Sequence, residues 1–178
     1  EPLYLGDAIL MGIGQGPVSW TPVHAADAYA TIVRGGVRLV PRVVADEAPR
    51  VENLTLDPDA VDAALRGLRR AVNDEIGTAH AVYYPGGEHE DIIDVPGISA
   101  WGKTGTATAA PIYGPGEDGE VTRLREGDHS WMLALVGRDG GMPRYAIAVV
   151  MEYAGSGGRV SGPIAEPVVW ALVAEGYL

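Results

Sequence analysis

Apolar residues recur every three or four positions in two stretches of the chain and run almost unbroken in several shorter ones. Thr21-Pro22 opens the first periodic stretch. A hydroxyl N-cap followed by proline, whose fixed φ suits the first helical turn, is a helix start. Ala26, Tyr29, Ala30 and Val33 then fall at helical spacing, and Arg34 with Gly35-Gly36 closes the element. Asp57-Pro58 starts a second helix in the same way, with Val61, Ala64, Leu65, Leu68 and Val72 in the i, i+3, i+4, i+7 order of one buried stripe. Between the two, residues 37–44 and 51–56 read as short extended pieces interrupted by Pro41 and Pro49. Residues 73–96 read as loop, with one short strand around Val82-Tyr83-Tyr84.

The pattern changes in the second half. Residues 98–109 are rich in Thr and Ala with few charges, and 129–137 and 144–152 are apolar, strand-like runs. Asp139-Gly140-Gly141 between the last two is a turn signal and predicts an antiparallel hairpin. Residues 111–128 hold Pro111, Gly114, Pro115, Gly116 and several charges, the composition of a surface loop. From Ser161 onward an amphipathic helix is expected, with Ile164, Val168 and Leu172 on one side. Pro167 either marks its true start or kinks it. Trp131 and Trp170 are expected to fill the core. Helices first and an antiparallel sheet afterwards indicate one α+β domain over 1–178.

Charge and composition remove whole classes of function. The 178 residues carry 13 Lys+Arg against 24 Asp+Glu, a formal net charge of −11, and no cysteine. Nucleic acid and anionic membrane surfaces both need clustered cations, so neither is an expected partner. Without cysteine there is no disulfide, no thiolate nucleophile and no Cys-based zinc site. The apolar runs 131–136 and 145–151 are too short to span a bilayer. Glu88-His89-Glu90-Asp91 reads as a solvated loop, His129 as a structural residue at a strand start, and no metal or cofactor is expected. The chain opens at Glu1 with no Met and no signal-like segment, so it is expected to be a piece of a longer polypeptide.

Twelve of the thirteen basic residues are Arg; Lys103 is the sole lysine. It lies in Gly102-Lys103-Thr104-Gly105-Thr106 among uncharged neighbours. A compact ammonium fits inside a hydrogen-bond network where a guanidinium fork does not. On a strand, Thr104 and Thr106 share one face because side chains alternate. Two hydroxyls next to a cation make a carboxylate clamp. Gly105 between them removes a side chain that would block an extended substrate from pairing along the strand. The residues together describe an edge strand that binds a peptide carboxylate.

A second motif claims the same lysine. Gly97 and Gly102-Lys103-Thr104 fit the P-loop spacing G-x-x-x-x-G-K-[ST], an alternative in which the chain binds a nucleotide. That chemistry needs Lys-Thr to open a helix whose N–H groups cradle phosphate. Gly105, Thr106, Thr108 and Pro111 make poor helix material, and Trp101 is bulky for a phosphate loop.

Lys103-Thr104-Gly105-Thr106 resembles the K-T-G-T element of penicillin-binding proteins and serine β-lactamases. Gly12-Ile13-Gly14-Gln15-Gly16 followed by the Thr21-Pro22 helix is similar to the glycine-rich loop and helix of class B penicillin-binding proteins. Gly77-Thr78-Ala79, His129-Ser130-Trp131, the strand ending at Glu152 and Gly162-Pro163-Ile164-Ala165 are similar to further segments of those proteins, in the same order. The loop and helix lean toward the elongation-type, PBP2-like transpeptidases. One departure is His24, where the family usually has a Gln that completes the helix cap.

The resemblance implies a D,D-transpeptidase that cross-links peptidoglycan stem peptides through a serine acyl-enzyme and binds β-lactams. It implies that Lys103 keeps the site electropositive and aids proton transfer. Thr104, Gly105 and Thr106 would bind substrate, and the Thr106 N–H would be half of the oxyanion hole. The family's S-x-x-K and S-x-N are absent: none of Ser19, Ser99, Ser130, Ser156 and Ser161 has Lys three residues on or Asn two residues on. The chain is therefore expected to be the C-terminal portion of a transpeptidase domain, inactive alone. Nucleophile, base and membrane anchor would lie upstream, on a protein facing the periplasm or cell-envelope exterior. A β-lactam-sensing receptor or a scaffold homologue are further alternatives. The family's sheet also takes two strands from the N-terminal side, so an exposed sheet edge is expected here.

Overall fold

The computed structural model describes residues 4–45, 47–117 and 119–178. Along them run α1 (Leu5–Gly12), α2 (Pro22–Val33), β1 (Val37–Leu39), β2 (Val51–Asn53), α3 (Pro58–Asn73), β3 (Ala81–Tyr83) and β4 (His89–Asp91). β5 (Ile98–Thr108), β6 (Ile112–Pro115), β7 (Val121–Arg125), β8 (Asp128–Arg138), β9 (Tyr145–Met151) and α4 (Ser161–Ala174) follow. The central sheet is antiparallel in the order β5-β8-β9, and β1-β2, β3-β4 and β6-β7 are separate two-stranded pairs. The architecture is α+β.

Both helix starts form as their residues dictate. Thr21 Oγ1 accepts the His24 N–H at 3.3 Å, and Asp57 Oδ1 accepts the Asp59 N–H at 2.8 Å, with Pro22 and Pro58 in the first turns. Only Val72 of the α3 stripe is fully buried; Val61, Leu65 and Leu68 are half-covered and Ala64 is exposed.

The core lies on one face of β8. Met132, Ala134 and Val136 pack with Val72 of α3, Ala165 and Val169 of α4, and Ile92 and Val95 from the segment before β5. Burying each large aliphatic side chain there contributes about 1.5–3 kcal/mol. On the opposite face Leu135 lies beside Ala30 and Val33 of α2. β8 is thus covered on both sides, which is why its sequence reads as a continuous apolar run.

Several expectations are corrected. α1 was not anticipated: none of its residues is buried, so it offers no one-sided stripe to read. Residues 73–96 contain a hairpin, since β4 joins β3. Residues 111–128 are likewise a hairpin, β6-β7, with every β7 residue exposed and hence no alternation to betray it. α4 runs unbroken from Ser161 through Pro167. Pro163 and Pro167 both face solvent, where the carbonyl that loses its partner can be hydrated.

The buried face of α4 is also a different one. Ser161, Gly162, Ala165 and Val169 face inward while Ile164 and Val168 are exposed. A Cβ on Gly162 would come within 3.0 Å of Ile92 Cδ1, so close approach by small residues decides the face. Trp170 is 47% exposed and Trp131 only half-covered; the tryptophan of the interior is Trp101, 6% exposed beneath the Arg69 guanidinium.

Candidate active site

Each strand residue turns its N–H and C=O to one side, alternating along the chain. Ala109 donates to Gly127 across the β5-β8 ladder and Asp139 donates to Gly97. With the register Gly105↔Trp131 and Lys103↔Leu133, the odd residues of β5 bond β8 and the even ones face outward. Thr104 and Thr106 therefore expose backbone groups along an open edge, since among the described residues no strand pairs with β5 on that side.

Side-chain faces alternate by the same parity. Thr104 and Thr106 do share a face: the Thr104 hydroxyl lies 3.3 Å from the Thr78 carbonyl, and Thr106 Oγ1 accepts the Gly157 N–H at 3.2 Å. Lys103 projects from the other face and curls to the edge, where its ammonium donates to the Thr104 carbonyl at 2.7 Å. Although the residue as a whole is exposed, desolvation around the ammonium pulls its pKa below the ordinary lysine value.

The segment after β9 lies against this strand. A Cβ on Gly157 would sit 2.9 Å from the Gly105 nitrogen and closer still to the Gly105 and Trp131 carbonyl oxygens, so only glycine fits. Ser130 and Ser161, both fully buried, lock the same segment down. Ser161 Oγ donates to Ser130 O at 2.8 Å, and Ser130 Oγ accepts the Ser161 N–H at 3.1 Å. Neither serine is placed as an accessible nucleophile. His129 is structural: Nδ1 accepts the Tyr153 N–H at 3.2 Å, and the two rings meet edge to face.

Two amide side chains reach the outer edge, and sequence reasoning assigned neither a role. Asn73, the last residue of α3, donates to the Ala100 carbonyl at 3.1 Å. Gln15 donates to the Thr106 carbonyl at 3.1 Å and accepts the Thr108 N–H at 3.2 Å. Gly157 was missed as well; Gly155-Ser156-Gly157-Gly158 is the signal that marks it.

The nucleotide alternative fails on this geometry. Lys103 and Thr104 lie in the middle of β5, and the next element is the strand β6 rather than a helix opened by Lys-Thr. In the acidic cluster, His80 and His89 stand 4.0 and 3.9 Å from Asp91 Oδ1. Among the described residues no group of three or more His, Asp or Glu is arranged to hold a metal ion.

The sequence model of the family described as "Penicillin binding protein transpeptidase domain" matches residues 4–169. The peptidoglycan D,D-transpeptidase MrdA of Haemophilus influenzae is 28% identical over 95% of this chain and 26% of its own length. Among solved structures, the D,D-transpeptidase domain of a peptidoglycan glycosyltransferase from Eggerthella lenta superposes with a TM-score of 0.61 at 21% identity, over 89% of this chain and 33% of that one. PBP2 of Pseudomonas aeruginosa, solved in complex with WCK 5153, gives 0.60 at 22% identity over 95% of this chain and 33% of its own. The chain thus spans about a quarter of the curated relative and a third of each solved one.

Proposed function

This chain belongs to the penicillin-binding protein transpeptidase domain family, and from that we propose that it is the C-terminal part of a peptidoglycan D,D-transpeptidase of the PBP2-like type. The observation that carries the reading is the seating of Lys103-Thr104-Gly105-Thr106 on an open sheet edge with both hydroxyls on one face. The substrate would be a stem peptide ending in D-Ala-D-Ala, and β-lactams would compete for the same place. The site faces the cell-envelope exterior on a protein anchored by another segment. No helix among the described residues is long and apolar enough to cross a membrane.

In this reading a serine from outside the 178 residues attacks the penultimate D-Ala carbonyl while a base takes its proton. The C–N bond breaks, D-Ala leaves as the protonated amine, and an amine of a neighbouring stem then takes the acyl group. Thr104 and Thr106 hold the terminal carboxylate. Thr106 keeps its own hydroxyl proton to donate while accepting from Gly157, and a carboxylate competes well with the long Thr104–Thr78 bond. Lys103, dry enough to give up a proton more readily than an ordinary lysine, keeps the site electropositive and assists proton transfer. The Thr106 N–H, outward-facing by parity, is half of the oxyanion hole, worth about 3 kcal/mol in the transition state.

The full-length protein should be labelled stoichiometrically by a fluorescent penicillin and this chain alone should not. In the full-length protein, Lys103→Ala should slow acylation more than Thr106→Ala, because the backbone donor survives the second change. Equal losses would contradict that division of roles.

A further inference from the structure

We propose that the Gln15 side chain is a replaceable plug in the substrate edge, occupying backbone groups of β5 that an incoming peptide must take over. The proposal rests on the reading of that edge given above.

The plug is held in place by the end of α1. Gly14 adopts φ 75, its N–H donates to Met11 O at 3.0 Å, and the Gln15 N–H donates to Leu10 O at 2.9 Å. These are the two bonds of a Schellman C-cap, with Gln15 one position beyond the left-handed glycine. Gly16, at φ 87, then turns the chain back where a Cβ would lie 3.1 Å from that of Leu10. The glycines on either side of Gln15 fix its backbone and leave its side chain to reach across.

The carboxamide does what one residue of an added strand would do. Its Nε2 donates to Thr106 O and its Oε1 accepts from Thr108 N, the two outward groups that flank Ala107. A carboxamide presents donor and acceptor on one planar group, in the spacing of a backbone amide pair. Both bonds are exposed and long, 3.1 and 3.2 Å, so a ligand that offers the same pairing displaces them easily. Asn73, at the other end of the edge, is held differently: its Nδ2 also lies 2.6 Å from the Arg69 carbonyl of its own helix. Between the two amides the edge stays open at Gly102 and at the N–H groups of Thr104 and Thr106, while the Thr104 carbonyl accepts from Lys103. A ligand confined to that window leaves Gln15 seated; one that runs along the strand and donates an N–H to Thr106 O competes with Gln15 for the same outward side and displaces it.

The test compares Gln15→Ala and Gln15→Glu in the full-length protein. Removing the plug should raise the second-order rate of acylation by a penicillin with an acylamino side chain about fivefold. In Gln15→Ala the Thr108 N–H should exchange about tenfold faster, with Ala109, bonded to Gly127, unchanged. Gln15→Glu keeps an acceptor for Thr108 but loses the donor to Thr106, so it should speed acylation without loss of Thr108 protection. If both variants are labelled at the wild-type rate or more slowly, Gln15 is only a strut and the plug is refuted. Unchanged Thr108 exchange in Gln15→Ala refutes it too. Absence of labelling in the wild-type protein is a different result: it refutes the transpeptidase reading, and the plug with it.

Discussion

Along the outer edge of β5, three side chains meet the backbone: Asn73 at Ala100, Lys103 at Thr104, and Gln15 at Thr106 and Thr108. Along the outer edge of β9, no side-chain hydrogen bond reaches the backbone among the described residues, and the ladder parity leaves Ala146, Ala148 and Val150 with outward N–H and C=O groups. The two margins belong to one three-stranded sheet and are finished in different ways. A margin met by replaceable polar groups resists unwanted strand addition and still admits a short ligand. A bare apolar margin is a template for another strand, whether from the rest of a longer polypeptide or from a second copy. On the proposed reading, gripping a ligand falls to the β5 side of the scaffold and completing a sheet to the β9 side.

The strongest way to break the β5 margin is Gly157→Ala. The new Cβ would be driven into the Gly105 and Trp131 carbonyls, so we expect a loss of about 3 kcal/mol and a matching fall in Tm. An unchanged Tm would mean the segment after β9 does not hold the K-T-G strand.

On the other margin, Ile147→Pro removes an N–H that bonds Ala134, whereas Ala148→Pro removes one that faces outward. The first should cost about 1–3 kcal/mol more than the second in chemical denaturation. Ala148→Pro should in addition lower self-association of the isolated chain in sedimentation. Equal costs would show that the parity assigned to β9 is wrong.

Asn73→Ala should cost about 1 kcal/mol, since one cap of the β5 edge is lost while α3 persists. The smallest effect is the titration of Lys103, which a single lysine signal in NMR makes easy to follow. Burial lowers its pKa in the folded state below the ordinary 10.5, so between the folded value and 10.5 the unfolded chain holds more protons. Stability should therefore rise with pH across that window and be lowest below it. A value at or above 10.5 would mean the edge is fully wet at Lys103.

What was legible in the sequence was what short-range chemistry dictates. The caps at Thr21 and Asp57, the Asp139-Gly140-Gly141 turn and the alternation that puts Thr104 and Thr106 together needed no knowledge of neighbours. The face of α4 was not legible, because periodicity favours large residues at Ile164 and Val168 while the fold uses the room left by Gly162 and Ala165. α1 and the β6-β7 hairpin bury too little to leave a pattern. At the candidate site, the K-T-G-T residues were singled out from their types, but Gln15 and Asn73 reach the edge from 91 and 27 positions away, a proximity only the folded chain creates.

The scarcity of lysine has one more consequence. An endoprotease that cuts only after this residue type has a single scissile bond here, and that bond sits in the middle of β5. While the strand stays zipped to β8 the bond is protected; each fraying event exposes it. The appearance of two fragments over time would clock how often the chain lets go of that strand.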